Sequence, residues 1–506
     1  MFRKILIANR GEIAVRILRA CRELGVRGVA VFSEADRASL HVRLAEEAYP
    51  IGPAASRESY LRIDKLMAVA RTAGCDALHP GYGFLAENPE LARACAKAGV
   101  TFIGPSPEAI EQLGSKTAAR QLARAVGVPT VPGTLEPAGS LEQAQQEARR
   151  IGFPVLLKAV AGGGGKGMRL VGGEAELAGA WRDASSEALN AFGDARLYLE
   201  KFLVQARHIE IQILGDLHGH MVHLGERECS VQRRYQKVIE EAPAVDARLR
   251  QAMGEAAVKL ARAGGYTNAG TMEFLVDAGR NFYFLEMNTR LQVEHPVTEM
   301  VTSLDLVKLQ IRIAAGEPLA FVQADVALRG HAVECRIYTE DPDNNFFPCA
   351  GTIVHRSVPT GPGIRLDDGV YTGWTVPLEY DSMLGKLSAW GNDRSEAIAR
   401  LQRALGEYHV SGIPTNVGLF RRILAEPDFV RGEIHTKWLD ELLQRRPEMA
   451  APRADSRGED AATLAAALWH LANNAAAKPA TTAASAESRW KLEARREQVR
   501  RAPRRK

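Results

Sequence analysis

The spacing of apolar and polar residues changes character several times along the chain, and each change marks an element. Lys4-Ile-Leu-Ile-Ala8 and Val29-Ala-Val-Phe32 are short apolar runs that read as buried strands. The stretch between them, from Gly11 to Ala20, has helical texture and ends near Gly25. Strand, helix, strand in that order predicts a parallel sheet with right-handed crossovers. Residues 76–79 and 101–103 extend it, so a first doubly wound domain is expected over 1–115. Residues 116–150 read as helix, broken at Gly127-Val-Pro129 and Pro132-Gly133. A strand over 154–160 carries Lys158 and runs into Gly162-Gly163-Gly164-Gly165-Lys166-Gly167, then into strand-like Met168-Arg-Leu-Val171. Lys166 is followed by Gly where a Walker loop needs Ser or Thr, and a strand follows where that loop needs a helix. The expectation is a strand hairpin with a glycine tip whose N–H groups wrap phosphate oxygens.

Residues 197–203 read as another strand. In 208–213 polar and apolar residues alternate, which puts His208 and Glu210 on one face, read as an exposed sheet face. The charge-dense stretch 226–237 lacks helical periodicity and reads as a loop, with Gln232 and Lys237 among groups suited to an anion. Two aromatic and β-branched runs, 271–276 and 281–288, flank a turn at Asp277-Ala-Gly-Arg280 and predict a hairpin. Its register sets Glu273 opposite or diagonal to Glu286, with Asn288 on the same face as Glu286. Facing carboxylates repel unless a cation lies between them, and hard oxygen ligands suit Mg²⁺ or Mn²⁺. Arg290, Gln292 and Glu294 continue the even-numbered polar series past the strand end, an anion clamp and a base beside the metal. A helix is expected over 303–315, a β-rich section from His331, a helix over 394–405, and an end to compact structure near Leu443. Gly81-Tyr82-Gly83-Phe-Leu-Ala86 loosely matches a dinucleotide fingerprint, but Pro80 precedes it and it is not the first strand-to-helix turn. It reads as a tight turn with Tyr82 at its tip.

Composition sharpens this picture at three points. At 506 residues the chain is too long for one core, and two to four domains are expected. The net charge is +4, but the last twenty residues hold nine Lys/Arg and three Glu, which is +6 and leaves about −2 for the rest. The body therefore carries no nucleic-acid signature, and the tail over 446–506, Ala- and Arg-rich, reads as partly disordered with an Ala-rich helix over 459–474. The six cysteines are scattered without a Cys-x-x-Cys pair, which fits a reducing cytoplasm. The first apolar run is cut by Asn9-Arg10-Gly11-Glu12, too short for a signal-peptide core, and no run approaches the ~20 residues of a membrane span.

Taken together, the motifs at 4–14, 79–88, 162–168, 229–234 and 286–299 resemble the biotin carboxylase family of the ATP-grasp superfamily. Within them the run Met287-Asn-Thr-Arg-Leu-Gln-Val-Glu-His-Pro296 is highly specific. The resemblance covers 1–445. It implies a mixed α/β and α+β protein: a doubly wound N-terminal domain, an ATP-grasp domain over 116–330 with a lid at about 130–203, and a β-rich C-terminal domain over 331–445. It implies ATP and nucleotide contacts at Lys116, Lys158, Gly162 to Gly165, Met168, Glu200, Lys201, Leu203, His208, Gln232 and Tyr235. Metal would sit on Glu273, Glu286 and Asn288. Bicarbonate would meet Lys237, Arg290, Gln292 and the Val293 amide. Glu294 would take the bicarbonate proton to form carboxyphosphate, Arg336 would stabilise the biotin oxyanion, and Tyr82 would line the biotin pocket. Tyr235 stands where the family often has His. None of the ten Met residues precedes a Lys, so biotin is expected on a separate carrier protein. The family's habit adds a homodimer and a separate carboxyltransferase subunit. Other classes that share parts of the pattern are an ATP-grasp ligase joining a carboxylate to an amine, and a nucleotide-binding regulatory subunit.

Overall fold

Five short strands, β1 (Lys4–Ile7), β2 (Arg27–Ser33), β3 (Glu47–Gly52), β4 (Ala77–His79) and β5 (Thr101–Phe102), form a parallel sheet ordered β3-β2-β1-β4-β5. Helix α1 (Gly11–Glu23) buries Ile13, Ala14, Val15, Ile17 and Leu18. β3 escapes the sequence pattern because it is an edge strand with Pro50 inside it and only Ile51 fully buried. The computed structural model describes residues 1–134, 136–160, 168–446 and 464–470. Two compact units are present, Met1–Pro452 and Arg453–Lys506. In the second, residues 464–470 are helical. The rest of the expected tail helix, the basic segment and the glycine run Gly162 to Gly165 lie outside the described residues.

A small antiparallel sheet follows, built from β6 (Val155–Ala159), β7 (Met168–Val171) and β8 (Leu197–Lys201) in the order β7-β6-β8. The largest sheet has eight strands. It contains β9 (Arg207–Gly215), β10 (Met221–Arg233), β11 (Gln236–Ala242), β12 (Asn268–Val276), β13 (Phe282–Asn288), β14 (His331–Tyr338) and the strands Met383–Gly391 and Ile364–Asp368. Their spatial order is β13-β12-β9-β10-β11-β14, then Met383–Gly391, then Ile364–Asp368.

The two faces of the large sheet differ in chemistry. Ile209, Ile211, Ile213, Met272, Phe274 and Phe284 join one apolar core with Met253 and Leu260 of the helix Ala247–Ala263. The alternate residues His208, Glu210, Gln212, Thr271 and Glu273 point the other way and are also buried. This corrects the reading of the His208–Glu210 face as exposed. The helix His295–Thr302 packs over β10, β11 and β14 on that side, so a polar face that alternation assigns to solvent is covered.

The stretch 226–237, read as a loop, is instead the end of β10, a turn at Arg234 and Tyr235, and the start of β11. Both turn residues have positive φ, 49° and 66°, as a two-residue hairpin turn requires. Polar sequence here reflects strands whose charged side chains pair in the interior. The helix expected over 303–315 is present as Leu306–Ala314, and a further helix, His295–Thr302, precedes it. They are separated at Ser303, whose φ of 59° ends the first, and Asp305 caps the second. Among the described residues no helix is long and apolar enough to cross a membrane.

Candidate active site

The hairpin β12–β13 sets Glu273 directly opposite Glu286 and Thr271 opposite Asn288. On its other side β12 pairs with β9, which sets Glu273 opposite Glu210. Three carboxylates therefore stand in a row across three strands. Lysines meet much of this charge. Lys116 Nζ lies 2.7 Å from Glu286, and Lys237 Nζ donates to Glu210 at 2.6 Å, Glu273 at 2.9 Å and Glu294 at 2.7 Å. His208 Nε2 is 3.1 Å from Glu273, and Asn288 Nδ2 donates to Glu273 at 2.8 Å. Burial pushes the Glu273 carboxyl up, but Lys237 and His208 outweigh it and hold it well below the ordinary range.

Glu273, Glu286 and Asn288 offer oxygen donors of the type a hard divalent cation takes, with the two carboxylates on paired strand positions. Glu286 keeps 28% of its side chain exposed and its partner Lys116 keeps 70%. An exposed lysine is a partner that an arriving metal displaces at little cost, since exposed ion pairs contribute only about 0–1 kcal/mol.

Beyond the hairpin, Glu294 is clasped from both sides. Its Oε1 accepts from Lys237, and its Oε2 accepts from Arg336 at 3.0 Å. Arg336 in turn donates to Glu240 at 2.6 Å. Burial favours the neutral Glu294 acid, but Lys237, Arg336 and Arg227 together hold it far below the usual carboxylate range. Lys237 is likewise opposed by burial and is kept charged by Glu210, Glu273 and Glu294. Next to this chain of charges lies a cavity of about 500 Å³ whose lining includes Glu12, Tyr82, Arg290, Val293, Arg336 and Tyr338. Tyr82 sits on a turn where Gly81 and Gly83 both have positive φ. Asn9 Nδ2 donates to the carbonyls of Pro80 and Tyr82, and a Cβ on Gly81 would lie 2.9 Å from that nitrogen. The sequence reading of a tight turn with close approach therefore has a physical cause.

Other expected residues fall into three groups. Arg290 spans Glu87 at 3.0 Å and Asn288 Oδ1 at 3.1 Å, and Gln292 Nε2 donates to Glu273 at 2.9 Å. Gln232 Nε2 contacts His208 Nδ1 at 3.1 Å, so these two belong to the same cluster. On the small sheet, Lys158 faces Met168 across β6–β7, and both Lys158 and Arg120 pair with Glu200. Lys201 Nζ donates to the carbonyls of Gly152 and Phe153, its backbone N–H donates to the Pro132 carbonyl at 2.7 Å, and Leu203 lies just past the strand end. Tyr235 stands apart: it is 72% exposed at the tip of the β10–β11 turn.

Sequence reasoning missed four participants. Arg227 and Glu240 sat within or just after the supposed loop, and Glu210 was assigned to an exposed face. Lys386 is fully buried in an apolar strand, pairs with Glu12 at 3.1 Å and donates to Val293 O at 2.8 Å. Tyr82 OH donates to the same Glu12. A lone Lys in the run Met383-Leu-Gly-Lys-Leu-Ser-Ala-Trp390 was the available signal, because a buried ammonium demands a partner.

Comparison with known proteins identifies the family. Three family models match: the biotin carboxylase N-terminal domain over residues 1–110, the ATP binding domain of the carbamoyl-phosphate synthase L chain over 115–322, and the biotin carboxylase C-terminal domain over 334–441. A biotin carboxylase from Nostoc sp. is 53% identical over 443 residues, 87% of this chain and 99% of the relative. Biotin carboxylase 1 from Bacillus subtilis is 51% identical over 443 residues, 87% of this chain and 98% of its own length. Among solved structures, the biotin carboxylase domain dimer of Hydrogenobacter thermophilus 2-oxoglutarate carboxylase, with MgADP, ADP and bicarbonate, superposes with a TM-score of 0.82 at 45% identity. That match covers 89% of this chain and 99% of the other. Biotin carboxylase from Campylobacter jejuni, in complex with a β,γ-ATP ligand, gives a TM-score of 0.83 at 46% identity, covering 87% and 99%. With its whole body from the first strand to residue 441 matched and its carboxylate hairpin running into a doubly clasped Glu294, this chain belongs to the biotin carboxylase family.

Proposed function

We propose that this chain carboxylates biotin carried on a separate protein, using ATP and bicarbonate by way of carboxyphosphate, in the cytoplasm. The observation that carries this reading is Glu294, held between Lys237 and Arg336 beside the cavity that Tyr82, Arg290 and Val293 line. A carboxylate held this firmly is charged at neutral pH but a weak base. An anion such as bicarbonate, arriving beside it, competes for the Lys237 and Arg336 donors. As they turn to the substrate, Glu294 loses part of its compensation, its proton affinity rises, and it accepts the bicarbonate proton. The freed oxygen then attacks the γ-phosphate of ATP, and ADP leaves.

In this reading Glu273, Glu286 and Asn288 hold Mg²⁺ or Mn²⁺, which when bound neutralises charge on the phosphoryl oxygens. Lys116, Lys158, His208 and the glycine run with Met168 hold phosphates. Glu200, Lys201 and Leu203 meet the base, Gln232 orients His208, and Tyr235 flanks the ribose. Lys237, Arg290, Gln292 and the Val293 amide hold bicarbonate, while Tyr82 and Arg336 receive the biotin ureido group. We divide the chain accordingly into 1–115, 116–330 with a lid at about 130–203, 331–445, and a tail over 446–506. Its partners are a second copy of the chain, a biotin carboxyl carrier protein and a carboxyltransferase subunit.

The test is ATP hydrolysis by the purified chain with Mg²⁺, with and without bicarbonate and free biotin. Turnover that needs bicarbonate and rises with biotin is expected. Turnover indifferent to both would overturn the reading.

A further inference from the structure

Arg227 is fully buried on β10, and every one of its five N–H groups finds an acceptor. Nε donates to Glu210 at 2.5 Å. Nη1 donates to Gln212 Oε1 at 2.7 Å and Thr298 Oγ1 at 2.9 Å. Nη2 donates to Thr271 Oγ1 at 3.0 Å and Gln292 Oε1 at 2.8 Å. These partners come from β9, β12, the loop after β13 and the helix His295–Thr302, so one guanidinium ties together four segments of the site.

A guanidinium has donors and no acceptor, so it dictates how each glutamine amide is turned. Both Gln212 and Gln292 must present oxygen to Arg227 and nitrogen away from it. For Gln212 the nitrogen is then consumed, donating to the carbonyls of Ile213 at 3.1 Å and Gly270 at 3.0 Å. For Gln292 one N–H goes to Glu273 at 2.9 Å. The other N–H has no described partner, and it sits one residue before Val293, which lines the cavity. An amide free to flip would offer an anion either a donor or a repelling oxygen. An amide locked by arginine offers only the donor.

We propose that Arg227 is a positioning residue that fixes the Gln292 amide as a hydrogen-bond donor to bicarbonate. This inference rests on the reading of Gln292 as a bicarbonate contact given above. Lysine cannot replace the fork: a single ammonium keeps the charge facing Glu210 but cannot span Gln212, Thr271, Thr298 and Gln292 at once.

The test is steady-state ATP hydrolysis by the full chain with free biotin, comparing wild type, R227K, Q292A and the double variant R227K/Q292A. R227K is expected to raise the KM for bicarbonate about tenfold, the size of one lost hydrogen bond to a charged group. The KM for ATP and kcat at saturating bicarbonate stay close to wild type. In the Q292A background R227K adds nothing to the bicarbonate KM, because the residue through which it acts is gone. Q292E leaves Arg227 untouched and carries the test should R227K fold poorly: it swaps the donor for an acceptor and is expected to raise the bicarbonate KM at least as far as Q292A does. An unchanged bicarbonate KM in R227K or multiplying effects in the double variant would each overturn the inference alone, whereas a wild-type bicarbonate KM in Q292E would remove Gln292 from the bicarbonate contacts and the inference with it. Wild-type turnover indifferent to bicarbonate would overturn the reading of the site and this inference with it.

Discussion

Replacing Lys237 by Met removes an ammonium shared by three buried carboxylates, at 2.6, 2.9 and 2.7 Å. Each carboxylate keeps a second partner: Arg227 for Glu210, His208 for Glu273 and Arg336 for Glu294. Removing one member of a buried ion pair costs about 3–5 kcal/mol. The remaining partners put this case near the lower end, about 3 kcal/mol at neutral pH. The loss has a pH signature. In the wild type Glu273 and Glu294 lie below the ordinary carboxylate range. Their stabilisation is present above the unfolded pKa of about 4.3 and is lost only as pH falls through the lower folded values. Burial is the largest single influence on both carboxyls and Lys237 the first that opposes it, so without Lys237 burial is expected to outweigh the remaining cations and push both up. Their contribution then has the opposite sign, present at low pH and lost as pH rises. The difference in Tm between wild type and K237M, followed by circular dichroism from about pH 5 to about pH 8, should therefore widen with pH to several degrees. Equal Tm values, or a difference that stays constant across that range, would refute the argument that Lys237 neutralises this row.

Three further outcomes are expected. E294Q should lower bicarbonate-dependent turnover by about 10²–10⁴-fold, the range of a lost general base, while the rise in Tm on adding nucleotide is retained; near-normal turnover would remove Glu294 from the role. E286Q should raise the Mg²⁺ concentration for half-maximal turnover about tenfold, since one of two anionic ligands is lost, and an unchanged Mg²⁺ requirement would take Glu286 out of the metal set. Burial raises the Glu334 carboxyl to about 8, against the pull of Lys386 and with Glu240 adding to it. A raised carboxyl gives stability that is full below its unfolded pKa of about 4.3 and is lost as pH rises through the folded value. E334Q should flatten that decline and melt above wild type at alkaline pH, and parallel Tm curves for the two proteins would count against it.

Much of the fold is local in origin and legible in the chain itself. The apolar run at 4–8 with the following helix announces the parallel sheet. The aromatic run 281–288 after its Asp-Ala-Gly-Arg turn announces the hairpin, and period-two alternation then sets Glu273 beside Glu286. The pairing places them directly opposite. The polar stretch 226–237 misleads because polarity usually marks solvent, whereas here it marks strands whose charges are satisfied indoors. Edge strand β3 leaves no apolar signature because only one of its residues is fully buried.

Residue order alone tells which side chains share a face and which chemistry gathers around 286–294. Alternation depends only on backbone geometry, and a strand turns successive side chains to opposite sides whatever surrounds it. Which face is covered, and which charge neutralises which, follows from the packing of distant segments. Lys237 reaches Glu294 across 57 positions, Arg227 reaches Thr298 across 71, and Lys386 reaches the Val293 carbonyl across 93. No local pattern encodes such partners. A buried charge is tolerated only where the fold delivers its counter-charge, and that delivery is set by the order of the eight strands and the helix laid across them.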